Sequence, residues 1–194
     1  MAISNQQTEK RELFGGAITL DMPQGLIDAS DLRQIPDNQE VLLSPSSDVT
    51  CIVEVLESVK EGEAKDDTEA ALRFHFSSLA HDNDAESSRI LTLQPSPASA
   101  SSSDSDPPSP SLLTGVQQVR KFAKPDQPLD NVLIHFALYR LAPRKDVDLV
   151  MSWNEPLKSS DGRTEETPRG DANVAEAFRR AAQSLKIVDW GLFQ

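Results

Sequence analysis

The feature that most limits the folds open to this chain is a series of β-prone runs that turn back on themselves through short polar breaks. Glu40 to Ser44 and Val49 to Leu56 are separated by Pro45, Ser46, Ser47 and Asp48, a proline-and-serine turn that reads as a hairpin. A second hairpin follows from Val132 to Leu141 and Val147 to Met151, joined around Pro143 to Asp146. Its return strand sets Val147, Leu149 and Met151 against Asp148, Val150 and Ser152, so one face is clearly apolar. In Val49 to Leu56, Cys51, Val53 and Val55 share one face while Ile52, Glu54 and Leu56 share the other. That second face also needs partial cover. Ile18 and Leu20 around Thr19, the trio Ile90, Leu91 and Leu93, and Thr114 to Phe122 add further strands.

Only two stretches read as good helices. Asp67 or Thr68 caps the first, with Glu69 favoured by the dipole; Ala71, Phe74 and Ser78 form its stripe, Ala70 and Leu79 lie beside it, and it ends near His81. Asp171 or Asn173 caps the second, whose apolar stripe is Val174, Ala177, Phe178, Ala181, Ala182 and Leu185. Arg179, Arg180 and Lys186 complement its C-terminal end. Hairpins with few helices predict an α+β fold built on a mainly antiparallel sheet with helices packed on it, not a doubly wound parallel one.

At 194 residues a single domain is expected over 12–194, behind a flexible N-terminus at 1–11. The run at 94–111, dominated by serine and proline, has almost nothing to bury and is expected to be a disordered insert within that domain. Ser96 and Ser109 each precede a proline there, as sites for a proline-directed kinase would. Asn154 to Asn173 reads as a polar loop, and Ile187 to Phe193 as a tail apolar enough to dock.

The acidic residues number 31 against 19 lysines and arginines, a formal net charge of −12. Such a surface repels phosphate backbones and anionic lipid, so neither nucleic acid nor membrane is expected as a partner. A basic protein surface suits it better. No apolar run approaches the roughly 18 residues of a spanning helix, and the N-terminus has no apolar signal region. Solubility alone is the plainer meaning of the same charge.

Motifs for phosphate loops, dinucleotide turns, zinc-protease helices and nucleophile elbows do not occur. His75, His81 and His135 have no ligand spacing, so core or surface roles are expected rather than a metal site. Cys51 is expected to be a buried small hydrophobe, and Trp153 and Trp190 core or docking residues. The run Glu54, Glu57, Glu61, Glu63, Asp66, Asp67 and Glu69 reads as a solvated face. By contrast Asp28, Asp31, Arg33, Asp37 and Glu40 lie on short connections beside a strand, where binding residues are often displayed. A helix cap would equally explain Asp31, and a turn would explain Asp37.

These last residues belong to Leu13–Glu40, which opens on the glycine pair Gly15 and Gly16 and ends in the turn Pro36, Asp37, Asn38, Gln39, Glu40. The ordered blocks LFGGA, P-x-G-x-IDAS-x-LR and P-D-x-Q-E-V resemble the signature of the Ran guanine-nucleotide release factors, the Mog-type nuclear import proteins, whose fold is distantly similar to PsbP. The similarity continues more weakly through CIVEVLE, LRFHF, Val132–Trp153 and IVDWGLF. It implies an α/β/α sandwich, a monomer without cofactor or catalytic chemistry, the GTPase Ran as partner, release of its bound nucleotide, and a place in nucleus and cytoplasm. The implied Ran-binding positions are Asp37 and Glu40, with Asp28, Asp31, Arg33, Asn38 and Gln39 around them. A Ran adaptor or chaperone without exchange activity is the alternative. A hydrolytic or small-molecule-binding protein is disfavoured by the missing motifs.

Overall fold

The computed structural model describes residues 7–96, 107–120, 129–157 and 169–193. Strands β1 (Thr8–Leu13), β2 (Ile18–Pro23), β3 (Ile27–Asp28), β4 (Gln39–Leu43) and β5 (Thr50–Glu57) come first. Helix α1 (Thr68–Asp82), strands β6 (Ser87–Gln94), β7 (Ser111–Arg120), β8 (Leu129–Arg140) and β9 (Val147–Pro156), helix α2 (Ala172–Ser184) and β10 (Lys186–Ile187) complete the order. Seven strands form one antiparallel sheet in the order β3-β4-β5-β9-β8-β7-β6, and β1-β2-β10 form a second. The α+β arrangement with a mainly antiparallel sheet is the one the hairpins require.

The large sheet is covered on both sides. On one side Cys51, Val53, Tyr139, Met151 and Trp153 pack with Val174 and Phe178 of α2 and with Ile18 and Leu20 of the small sheet. On the other, Leu113, Phe136, Leu138 and Val150 pack with Ala71, Leu72 and Phe76 of α1. Helix α1 lies so close to β7 that a Cβ on Gly115 would stand 2.3 Å from Cζ of Phe76. Both helices begin as the sequence indicates: Asp67 accepts from the Ala70 amide at 2.6 Å, and Asp171 from that of Asn173 at 2.9 Å. Trp153 and Cys51 are core residues at 2 % exposure each. The tail docks through Phe193, while Arg144 lies 3.6 Å over the Trp190 ring.

Several expectations need correction. The terminus expected to be flexible over 1–11 is strand from Thr8, because β1 pairs along its whole length with β2; residues 1–6 lie outside the described residues. Phe74 is half exposed, and α1 instead buries Ala71, Leu72, His75, Phe76 and Ala80. His75 faces inward because the fully buried Asp148 on β9 holds its Nε2 at 2.8 Å, a contact that apolar periodicity cannot register. Strand β6 is longer than Ile90–Leu93 suggests, since its first residues Ser87, Ser88 and Arg89 are an exposed, polar edge. Strand β9 runs on to Pro156 before the polar loop. The insert expected at 94–111 falls largely on 97–106, and the end of the strand expected at Thr114–Phe122 on 121–128; both stretches lie outside the described residues.

Candidate functional site

The turn before β4 is closed by the Gln39 amide on the Pro36 carbonyl at 3.0 Å. It is then fastened to β5 from both sides of the chain. The Asn38 carbonyl accepts from the Val55 amide at 2.9 Å, and the Asn38 side-chain amide donates to the Val55 carbonyl at 3.2 Å and to Oε1 of Glu54 at 3.3 Å. Gln39 donates to the same Glu54 oxygen at 2.7 Å. Strand alternation does the rest: Gln39, opposite Glu54, faces the α1 side of the sheet, and Glu40, opposite Val53, faces the α2 side.

Glu40 therefore points toward the first loop of the chain. Its Oε1 accepts the Phe14 amide at 2.5 Å. Phe14 has φ +51°, and Gly15 and Gly16 follow at +65° and +94°. A left-handed residue with a Cβ costs roughly 1–2 kcal/mol, so Phe14 needs a partner that fixes it, and the Glu40 carboxylate is that partner. The two glycines continue the same curl at little cost. Two blocks of the sequence motif, LFGGA and P-D-x-Q-E-V, thus meet in a single hydrogen bond.

The remaining site residues divide into bound and free. Asp28 accepts from the Ser30 amide at 2.8 Å and lies 3.9 Å from Arg11, which is also 3.9 Å from Glu9. Asp28, not Asp31, is the cap of the single 3₁₀ turn Ala29–Asp31, because it precedes the turn in extended backbone. Asp31 and Arg33 are exposed. Asp37 is exposed too, and its carboxylate makes no hydrogen bond or ion pair among the described residues. Burial pushes the Glu40 carboxyl above its ordinary value and Asp28 adds to this, against the opposing pull of the Phe14 amide and Arg11. The corner thus offers one solvated charge, Asp37, beside a second that is half buried and spent partly on the protein's own backbone.

Sequence reasoning overlooked Arg11, Phe14 and Glu54. Glu54 was indistinguishable from its acidic neighbours until the register placed it across from Gln39. Two histidines are buried against carboxylates: His75 on Asp148, and His135 at 3.8 Å from Glu155 while 3.3 Å from the Thr114 hydroxyl. Burial pushes the Cys51 thiol far up, away from nucleophilic chemistry. Among the described residues no three His, Cys, Asp or Glu side chains come together as a metal would require.

Residues 11–156 match the family described as "Ran-interacting Mog1 protein". The chain is 36% identical over 194 residues to the human Ran guanine nucleotide release factor, covering 97% of this chain and 98% of that one. It is 35% identical over 193 residues to the nuclear import protein mog1 of Schizosaccharomyces pombe, covering 94% and 98%. Its fold is similar to the crystal structure of the Saccharomyces cerevisiae Ran-binding protein Mog1p, with TM-score 0.73 at 26% identity over 98% of this chain and 100% of that one. A solved glutamate-to-alanine mutant of protein Mog1 superposes with TM-score 0.75, also at 26% identity, over 97% and 100%.

Proposed function

The chain belongs to the Ran-interacting Mog1 family, and from that premise we propose that it binds the GTPase Ran, promotes release of its guanine nucleotide and supports nuclear protein import. The observation that carries the site assignment is Asp37, an uncompensated carboxylate on a turn that four hydrogen bonds to β5 hold in place. A charge displayed without its own counter-ion, on backbone that does not need reordering, meets a basic patch with little entropic cost. Nucleotide in such GTPases is gripped mainly through its phosphates, a lysine and Mg²⁺. Asp37 competes for that positive charge, and the grip on the nucleotide loosens. Glu40 holds the shape of the corner through Phe14 and adds its charge to the field around Asp37.

Asp28, Asn38 and Gln39 keep the corner rigid, and Asp31 and Arg33 form its outer rim. The protein acts as a monomeric single domain that needs no cofactor and catalyses no bond-making step of its own. It meets Ran in nucleus and cytoplasm, and its net charge of −12 keeps it from nucleic acid and anionic membrane.

Stopped-flow release of a labelled guanine nucleotide from Ran tests the reading. The intact protein is expected to accelerate release, and Asp37→Lys to abolish the acceleration together with binding. Binding that leaves the release rate unchanged would make the protein an adaptor. Wild-type affinity in Asp37→Lys would remove the site.

A further inference from the structure

Helix α1 covers only part of its side of the large sheet. It packs on β6, β7 and β8, so the β5 residues Ile52, Glu54 and Leu56 look past its flank into a cleft of about 420 Å³. The floor of that cleft is apolar, made by Ile52 and Leu56 with Phe136 and Val150, and Phe74 stands beside it at 50 % exposure. The rim is acidic. Glu54, Glu57 and Asp82 contribute to the lining, with no lysine or arginine among the lining residues described.

Among the described residues no lysine or arginine forms an ion pair with these rim acids, although Lys60 lies in the field of Glu57. Glu54 takes its hydrogen bonds from the neutral amides of Asn38 and Gln39. The ion pairs of neighbouring cations go to other acids, Lys60 with Asp146 at 3.0 Å, Arg73 with Glu69 at 2.7 Å, and Arg140 with Asp148 at 3.3 Å. An apolar slot with a negative rim selects an apolar side chain flanked by positive ones, and it repels a second copy of a chain this acidic. The cleft is also continuous with the corner described above. Gln39 lines it, and the same two amides that hold the Asp37 turn hold Glu54 at its edge.

We propose that this cleft receives a segment of the GTPase that presents an apolar side chain flanked by lysine or arginine, so that one partner covers turn and cleft together. The proposal rests on the Ran-binding reading and adds a second, apolar anchor to it. Charge at the turn steers the encounter, and burial in the cleft sets how long the complex lasts.

The test is titration calorimetry of Ran with Ser78→Trp, which fills the cleft from the half-exposed flank of α1, with Phe74→Ser, which removes the exposed ring, and with Asp37→Lys. Circular dichroism and thermal melting of each variant establish that it is folded. Each cleft variant is expected to weaken Ran binding roughly tenfold, the loss typical of removing an anchor residue, with the same salt dependence as the intact protein, whereas Asp37→Lys loses binding altogether. Wild-type affinity in both cleft variants, with binding lost in Asp37→Lys, overturns the cleft and leaves the turn standing. Wild-type affinity in all three overturns both. A species of twice the mass in sedimentation, abolished by Ser78→Trp, overturns the cleft proposal in favour of self-association.

Discussion

The two sides of the seven-stranded sheet are solved differently. The α2 side is closed by a helix together with the small sheet β1-β2-β10, and its core runs unbroken from Leu13 to Phe193. Among the described residues the α1 side has a helix and no second sheet. Its core is smaller, it buries Asp148 and His75 with Arg140 half-buried beside them, and it leaves the cleft over β5. The α2 side buries polar groups too, His135 and Glu155, but beneath a continuous apolar cover in which His135 stacks on Phe178. Where cover runs out, the strand must either expose apolar atoms or carry polar ones that find partners.

The sharpest way to break this contrast is to remove Asp148. It is fully buried, with His75 at 2.8 Å and Arg140 at 3.3 Å, so Asp148→Ala leaves both partners uncompensated and should cost about 3–5 kcal/mol in chemical denaturation. Its pH dependence is distinctive. Burial pushes the Asp148 carboxyl up, but the His75 hydrogen bond and the Arg140 charge outweigh this and hold it below its ordinary 3.8. Its stabilisation is therefore complete above that value and lost as pH falls through the lower folded value. Glu40 has the opposite sign: its raised carboxyl costs stability above the folded value, and acid relieves the cost. Urea midpoints from neutral to acid pH should show a loss below 3.8 in the intact protein that Asp148→Asn lessens. An unchanged profile would remove the network from the stability account.

A smaller effect is expected where α1 meets the sheet. Gly115→Ala places a Cβ 2.3 Å from Phe76 and 3.0 Å from the Arg89 carbonyl, and should cost about 1–3 kcal/mol through overpacking. Hydrogen exchange should report the loss in α1 and leave α2 protected. Equal loosening of both helices would mean that the two sides do not act separately.

The mildest test lies at the corner. Glu40→Ala strands the part-buried Phe14 amide and should cost about 1 kcal/mol, whereas Glu40→Gln keeps an acceptor there and should cost less. Thermal melts of the pair decide this. If both variants melt with the intact protein, Glu40 is free to act on the partner as fully as Asp37.

Much of this was legible in the sequence wherever the determining interaction is local. The two hairpins, the caps Asp67 and Asp171 and the stripe of α2 each depend on residues within a few positions of one another. The buried face of α1 was not legible, because it is settled by Asp148, 73 positions away from His75. Counting apolar residues favours Phe74, and only the tertiary partner reverses the choice. Likewise the motif marked Asp37 and Glu40 alike, but the bond that ties Glu40 to Phe14 spans 26 positions. The cleft had no signature at all, since it comes from where a helix stops on a sheet rather than from any one residue type.

Strand β2 is flanked by β1, built from residues 8–13, and by β10, built from residues 186 and 187. One side of this ribbon is supplied by the residues just before it and the other only after helix α2 has been made. A nascent chain must carry β2 with a bare flank until Lys186 and Ile187 emerge, so that short strand acts as the latch that withdraws a sticky edge from chaperones and neighbouring chains.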